Sequence, residues 1–294
     1  MEQNKGLTAE GICKKYRHFQ LKDVSFFIPP GSIMGLLGKN GAGKTTTIKI
    51  LAGYAQKNSG KIRIDDINME KEPVKAKSEI GFVIDESMFF EKRTLWENGI
   101  AFGRFYQNFT EAEWKKWLAI CNLSASTHLE SLSKGERTKF QFAFAMAHHP
   151  KVLLLDEPTG NLDPIFRKEF LEILLEMVEK EQISVLYSSH ITSDLEKIAD
   201  RISLIEKGKI LYTDSMEHMM NRYCMVKGSP EEGEKIEKRN YPEVTGMRIT
   251  PVGFEAMLDL KKCQEPGAGS IKQDFPRLQQ EEVDLEKWMY YILQ

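Results

Sequence analysis

The sequence predicts an α/β fold with a parallel sheet and helices on its faces. Three observations predict it. Apolar runs suited to buried parallel strands, SIMGLL, IGFVI, KVLLLD, ISVLYSS and RISLIE, recur between helical stretches. A glycine-rich segment, Gly38 to Thr45, stands between one such run and a helix. Between residues 95 and 146 the apolar spacing turns helical, so a helical portion interrupts the alternation.

In chain order, LTAEGIC and LKDVSFFI read as strands, the second with polar–apolar alternation, and SIMGLL as a third. A helix runs from Lys44 to about Leu51, then GKIRIDD and IGFVI return to strand. Thr110-Glu111-Ala112-Glu113 fits a capping box, and Trp114, Trp117, Leu118 and Cys121 then fall on one helical face. Ser133-Lys134-Gly135-Glu136 is a second such box, ahead of Phe140, Phe142, Phe144 and Met146. Helices are expected at 164–180 and 191–199 between the last strands. Beyond about Tyr223, Ser229-Pro230 starts a helix, EPGAGS is a turn or linker, and DLEKWMYYIL is a closing helix.

With 294 residues the chain has ample length for a sizeable core, and its composition is ordinary, 41% hydrophobic and 29% charged. A net charge of -2 supplies no basic field, so no nucleic-acid partner is expected. Cys13, Cys121, Cys224 and Cys263 lack metal-ligand or paired spacing and read as reduced thiols of a cytosolic protein. The N-terminal stretch lacks the apolar core of a signal peptide, and no apolar run reaches the ~20 residues of a membrane helix.

The chemistry starts at Gly38-Lys39-Asn40-Gly41-Ala42-Gly43-Lys44-Thr45, which matches G-x-x-x-x-G-K-[ST] in its required strand-to-helix context. Glycines let backbone amides converge on an anion, and the helix N-terminus adds partial positive charge. Lys44 is expected on the β- and γ-phosphates, Thr45 on Mg²⁺, and Thr46 near the α-phosphate. Val152 to Glu157 is an apolar strand ending in two carboxylates. Asp156 suits the Mg²⁺-orienting position, and Glu157 the general base that polarises water. The pair favours hydrolysis over transfer to a substrate hydroxyl.

Five further features stand in the order shared by the ATP-binding cassette (ABC) ATPases, which residues 7 to 220 resemble. Tyr16 precedes the cradle where that family has an adenine-stacking aromatic, and Asp85 follows IGFVI where it usually has glutamine. Leu132-Ser133-Lys134-Gly135-Glu136 resembles the LSGGQ signature, Asn161-Leu162-Asp163 the D-loop, and His190 the switch histidine. Two departures stand out. Asp85 is shorter than glutamine and charged, leaving coordination of Mg²⁺ directly, through water, or by Glu86 instead. Lys134 and Glu136 replace a glycine and the final glutamine of the signature.

The resemblance implies a P-loop ABC ATPase fold with a mostly parallel core sheet, an N-terminal antiparallel β portion and an inserted helical subdomain at about 86–150. A small C-terminal α+β extension follows, so the expected domains are residues 1–220 and 221–294. It implies ATP and Mg²⁺ as ligands and a dimer with a second ATPase subunit, identical or not. Each ATP would lie on one cradle and be covered by the partner's Ser133, Lys134, Gly135 and Glu136. Glu157 and His190 would be catalytic, Asp163 would link the two sites, and Thr45, Asp85 and Asp156 would hold the metal.

An integral membrane transporter subunit would carry the substrate, keeping this chain peripheral on the inner face of the cell membrane. The aromatic stretch Phe89, Phe90, Trp96, Phe102, Phe105 and Tyr106 would form the groove for that partner, with about half of these rings in the core. GFVIDES, LSKGE and the extension look most like exporter ATPases for peptides, antibiotics or lipids, such as the phenol-soluble-modulin exporter. Two other readings stay open here: a soluble ABC ATPase, for example in cluster assembly, and a nucleotide sensor that hydrolyses slowly.

Overall fold

The computed structural model describes residues 5–86, 88–262 and 271–294; Cys263 and the expected Glu265–Ser270 linker lie outside the described residues. Strands β1 (Leu7–Lys15) and β2 (Gln20–Ile28) pair antiparallel, and β3 (Ser32–Leu37) leads through the glycine-rich loop into α1 (Lys44–Leu51). β4 (Ser59–Ile64) and β5 (Ile67–Asn68) complete an antiparallel sheet in the order β2-β1-β4-β5. The short helix α2 (Pro73–Ser78) precedes β6 (Ile80–Val83).

Helices α3 (Leu95–Gly103), α4 (Glu111–Ile120) and α5 (Lys134–Met146) follow, with a 3₁₀ turn at Leu129–Ser131. The chain then alternates through β7 (Val152–Asp156), α6 (Pro164–Glu181), β8 (Ser184–Ser188), α7 (Thr192–Ile198), β9 (Arg201–Glu206) and β10 (Lys209–Ser215). The second sheet has the order β10-β9-β3-β8-β7-β6, and β9, β3, β8, β7 and β6 run parallel. β3, β7 and β8 are buried almost throughout, as a sheet covered on both faces requires.

Parallel register decides where the chemistry can sit. Leu36 of β3 and Asp156 of β7 both pair with Ser188 of β8, so the three strands end together. Their C-terminal edge therefore carries the glycine-rich loop, the two carboxylates and the segment leading to His190. The carboxyl edge of a parallel sheet is where ligands bind in such folds.

Residues 140–146, the C-terminal half of α5, are buried on every side, which is why the apolar residues there do not form a single stripe. The expected α4 face of Trp114, Trp117, Leu118 and Cys121 is buried. Its capping box forms only by half. Thr110 accepts from the Glu113 amide, but the Glu113 carboxylate turns to Lys116 at 3.0 Å instead of back to the cap. Phe89 packs its ring edge-on against Phe102, Phe140 and Phe144, with centroids 4.7–5.2 Å apart. Phe90 and Phe105 are instead exposed, at 57% and 73%.

Contacts divide the chain into compact units at residues 1–213 and 214–294. The second contains α8 (Met216–Arg222), β11 (Tyr223–Gly228), α9 (Pro230–Arg239), β12 (Val244–Thr250), β13 (Gly253–Asp259), α10 (Ile271–Asp274), β14 (Gln279–Glu282) and α11 (Leu285–Ile292). Its antiparallel sheet, ordered β12-β13-β11-β14, buries Cys224, Val226, Phe254 and Leu258 with Ile236 of α9. Ser229 caps α9 with a complete capping box, and Pro230 occupies its first turn. Trp288 and Tyr291 of α11 are buried, and Tyr291 lies against Gly246 of β12. Among the described residues no helix is long and apolar enough to cross a membrane.

His148, just past α5, is 2% exposed and stacks on Tyr106 at 3.9 Å. Its ring nitrogens face the Phe144 and Ile80 carbonyls at 3.2 and 3.3 Å. Those carbonyls favour the charged ring, but burial outweighs them and pushes the pKa down to about 4, with His149 adding repulsion. The folded state resists a proton that the unfolded chain accepts near pH 6.5, so this contribution is intact above pH 6.5 and is lost between there and pH 4. Its loss is expected to be about 3 kcal/mol over that window. Urea melts across the range should show that slope in wild type and a flatter one in His148→Gln.

Candidate active site

The glycine-rich loop joins β3 to α1 in a conformation only glycine supports. Gly43 has φ 122°, and a Cβ there would stand 2.7 Å from Leu21 Cδ2 and 3.0 Å from the Phe19 ring. Gly38 lies so close to β9 that an added Cβ would meet the Ile205 carbonyl oxygen at 2.4 Å. The loop wraps the start of α1 and borders a cleft of about 560 Å³. Tyr16, Lys39, Asn40, Gly41, Gly43, Lys44, Thr45, Thr46 and Glu157 line that cleft, so the structure brings these expected residues together. Ala42 is buried within the loop, where its carbonyl accepts from the Gly208 amide. His18 and Phe19 also line the cleft, and neither carried a recognisable sequence signal.

Lys44 is 6% exposed. Its Nζ donates to the Gly38 carbonyl at 2.7 Å and stands 3.6 Å from Glu157 Oε1. A buried ammonium with one neutral acceptor and one nearby carboxylate suits an anion's arrival. Tyr16 is 45% exposed with the Lys14 ammonium 5.0 Å from its ring centroid, which leaves a ring face to the cleft region.

Glu157 follows β7 with φ 49°, a left-handed conformation that costs a non-glycine residue about 1–2 kcal/mol. Its backbone amide reaches the carbonyl and hydroxyl of Ser188 at 3.1 and 3.2 Å, which holds the turn. His190 then grips the Glu157 carboxylate twice, from its amide at 3.1 Å and from Nδ1 at 2.6 Å, both to Oε2. A carboxylate only accepts, so Nδ1 carries the proton of that hydrogen bond. Asp156 is fixed by the Ser188 hydroxyl, which donates to Oδ1 at 2.6 Å. Ser188 thus orients both acids, a role that no spacing in the sequence announces.

A second cavity, about 380 Å³, is lined by Thr45, Asp85, Asp156, Glu157 and Lys134 along with Gln141 of α5. Its hydroxyl and carboxylates are hard oxygen donors of the kind Mg²⁺ takes. Among the described residues no three acidic, histidine or cysteine side chains form a closed metal cage. One or two carboxylates plus substrate phosphates is the usual Mg²⁺ arrangement, so the donor set fits. Glu86 lines the same cavity, where its carboxylate pairs with Lys49 at 2.6 Å.

Ser133, Gly135, Glu136 and Asp163 lie outside the lining of both cavities. Ser133 caps α5 with a complete box: its Oγ accepts from the Glu136 amide at 3.3 Å, and its own amide donates to Glu136 Oε2 at 2.9 Å. These bonds from Ser133 hold the Glu136 carboxyl below its ordinary range. Gly135 lies close to the segment ahead of α6 in its own chain, where an added Cβ would be 2.6 Å from the Asn161 carbonyl oxygen. Asp163 caps α6 by accepting from the Phe166 amide at 3.0 Å, which lowers its carboxyl pKa.

A buried network supports this edge. Asp194 of α7, 1% exposed, takes the Thr159 hydroxyl at 2.7 Å and the Arg167 guanidinium at 2.6–3.1 Å. Thr159 also meets the Tyr187 hydroxyl at 3.0 Å. The turn after Glu157 is thereby tied to α6 and to the helix that follows His190.

The ABC transporter family model matches residues 21–160. An uncharacterized ABC transporter ATP-binding protein of Bacillus subtilis, YdbJ, is 35% identical over 207 residues, 69% of this chain and 67% of that one. The linearmycin resistance ATP-binding protein LnrL of the same organism is 34% identical over 74% of this chain and 71% of its own. A solved ATP-binding subunit of an ABC transporter superposes with a TM-score of 0.68 at 25% identity, covering 74% of this chain and 92% of that one.

Asp194→Ala leaves Arg167 and Thr159 without their acceptor. It should lower stability by about 3–5 kcal/mol in denaturant melts, the cost of removing one partner from a buried charged network.

Proposed function

The chain belongs to the ABC transporter family as an ATP-binding and ATP-hydrolysing subunit, and we propose that two such subunits close head-to-tail around two ATP molecules. The observation that carries this reading is the double grip of His190 on Glu157 beside Lys44, at the rim of the glycine cradle. In the proposed cycle Lys44 exchanges the Gly38 carbonyl for phosphate oxygens, and amides of residues 39–45 bind the rest of the triphosphate. Tyr16 stacks on the base, and the Thr46 hydroxyl reaches the α-phosphate.

Glu157 takes a proton from water as the water oxygen bonds to the γ-phosphorus. The bond from that phosphorus to the bridging oxygen breaks, releasing ADP and phosphate. His190 keeps the carboxylate aimed while this happens. Thr45, Asp156 and Asp85 would hold Mg²⁺, which would supply charge neutralisation on the phosphates.

The partner subunit completes the site with the start of α5. Ser133 and the amides of Lys134, Gly135 and Glu136 form a helix N-terminus, which attracts anions. Glu136 tied to its cap leaves that surface presented outward, and Lys134 adds positive charge. Asp163, already a helix cap in its own subunit, lies next to this surface and links the two sites.

The exposed Phe90 and Phe105 support a docking face on the helical portion for an integral membrane subunit, which would hold the chain at the inner face of the membrane. Export of a peptide, antibiotic or lipid-like compound is the proposed work. The identity with LnrL and the LSKGE and GFVIDES motifs support it.

Steady-state ATPase assays should fall by about 10²-fold or more in Glu157→Gln, with ATP binding retained. Equal turnover in the two proteins would sink the general-base assignment. Ser133→Ala should lose only about 1 kcal/mol of stability. In a Glu157→Gln background, sizing chromatography should show an ATP-dependent dimer that Ser133→Ala abolishes; a dimer that survives would return Ser133 to a mere helix cap.

A further inference from the structure

The segment that carries Asp85 is anchored from an unexpected place. Ile84, 2% exposed, donates its backbone amide to Gln141 Oε1 at 2.9 Å. Gln141 is 8% exposed and belongs to α5, the helix whose first turn is the signature. An amide nitrogen donor fixes the orientation of the glutamine, with Oε1 toward Ile84. That leaves Nε2 as the polar end available to the 380 Å³ cavity that Gln141 shares with Thr45, Asp85, Asp156 and Glu157.

We propose that Gln141 is a positioning residue for Asp85: by holding the Ile84 amide it sets the Asp85 carboxylate over the metal-binding cavity and ties that loop to the signature helix. The inference rests on the assignment of Asp85 to Mg²⁺. The chemistry explains the pairing of an aspartate on the loop with a glutamine on the helix. Asp85 is one methylene shorter than the usual glutamine and carries charge, so its reach depends on where its backbone stands. Val83 ends β6, and Asp85 lies two residues past it, exposed and outside the ladder. The Gln141 hydrogen bond is therefore the fastening between the last ladder residue and the acid.

The same bond gives α5 two jobs. Its N-terminus presents Ser133 to another subunit's nucleotide, and about two turns later Gln141 holds the loop of its own subunit's metal residue. A shift of α5 on dimer closure is thus passed to Asp85 through one buried bond instead of through a mobile loop.

The test uses the full chain in a Glu157→Gln background, where ATP binding is read without turnover. Gln141→Leu and Gln141→Ala remove the acceptor, and Gln141→Glu retains an oxygen for the Ile84 amide. Hydrogen exchange of Ile84 in the nucleotide-free protein should quicken about tenfold in the first two, the ratio set by one lost buried hydrogen bond, and much less in Gln141→Glu. The Mg²⁺ concentration needed for half-maximal ATP binding should rise several-fold in Gln141→Leu and Gln141→Ala. In an Asp85→Asn background the same substitutions should add no further rise.

Unchanged Ile84 exchange in both folded variants overturns the anchor. Faster exchange with an unchanged Mg²⁺ requirement, or a full additional rise on top of Asp85→Asn, overturns the link to Asp85. If Asp85→Asn alone leaves the Mg²⁺ requirement untouched, the metal assignment fails and the proposal fails with it. That outcome is told apart because Ile84 exchange still responds to Gln141.

Discussion

The interaction on which the site depends is the hold of His190 on Glu157. A carboxylate at the end of a buried parallel strand would ordinarily turn to solvent. Here the left-handed turn at residue 157 and two hydrogen bonds from residue 190 keep it over the cradle. Both residues stand at the ends of neighbouring strands, β7 and β8, so the geometry exists only because those strands pair in register. Ser188 reinforces it by bonding Asp156 through its hydroxyl and the Glu157 amide through its carbonyl. The backbone cost of about 1–2 kcal/mol at Glu157 is a strain of the kind active sites hold.

Around that hold, rigid connections reach the moving parts expected of a nucleotide switch. Thr159, Asp194 and Arg167 fix the turn after Glu157 to α6 and α7. Gly135 lies so close to Asn161 that an added Cβ would clash with its carbonyl oxygen, so the start of α5 approaches the segment ahead of α6 closely. Gln141 adds the link from α5 to the loop of Asp85. Coupling between distant sites needs elements of this sort, packed and hydrogen-bonded, with few soft joints between them.

Much of the fold and the cradle was legible in the linear pattern. Periodicity placed the buried strands, and the G-x-x-x-x-G-K-T spacing named Gly38 to Thr45 because a phosphate cradle is built from consecutive backbone amides. Caps were legible for the same reason: Ser133 and Ser229 act within four residues, although Thr110 makes only half of its expected box because Glu113 finds Lys116. The antiparallel pairing of β11, β12, β13 and β14 was not legible, because β11 and β13 are buried on successive residues while β12 and β14 bury little, so none of the four shows a clean in–out alternation. Nor were Ser188, Asp194 and Gln141, whose partners lie 31 to 32, 27 to 35 and 57 residues away along the chain.

By itself the sequence determined the α/β class, the cradle, the two acids of β7 and the helix starts, since each follows from local spacing acting on neighbouring backbone. Only the tertiary structure decided that Glu157 faces Lys44 and His190, that Glu86 is taken by Lys49, and that α5 grips the Asp85 loop. Those outcomes depend on which strands end side by side and which side chains remain unpaired after packing. Hydrogen bonds across tens of residues have no period, so only the folded chain selects them.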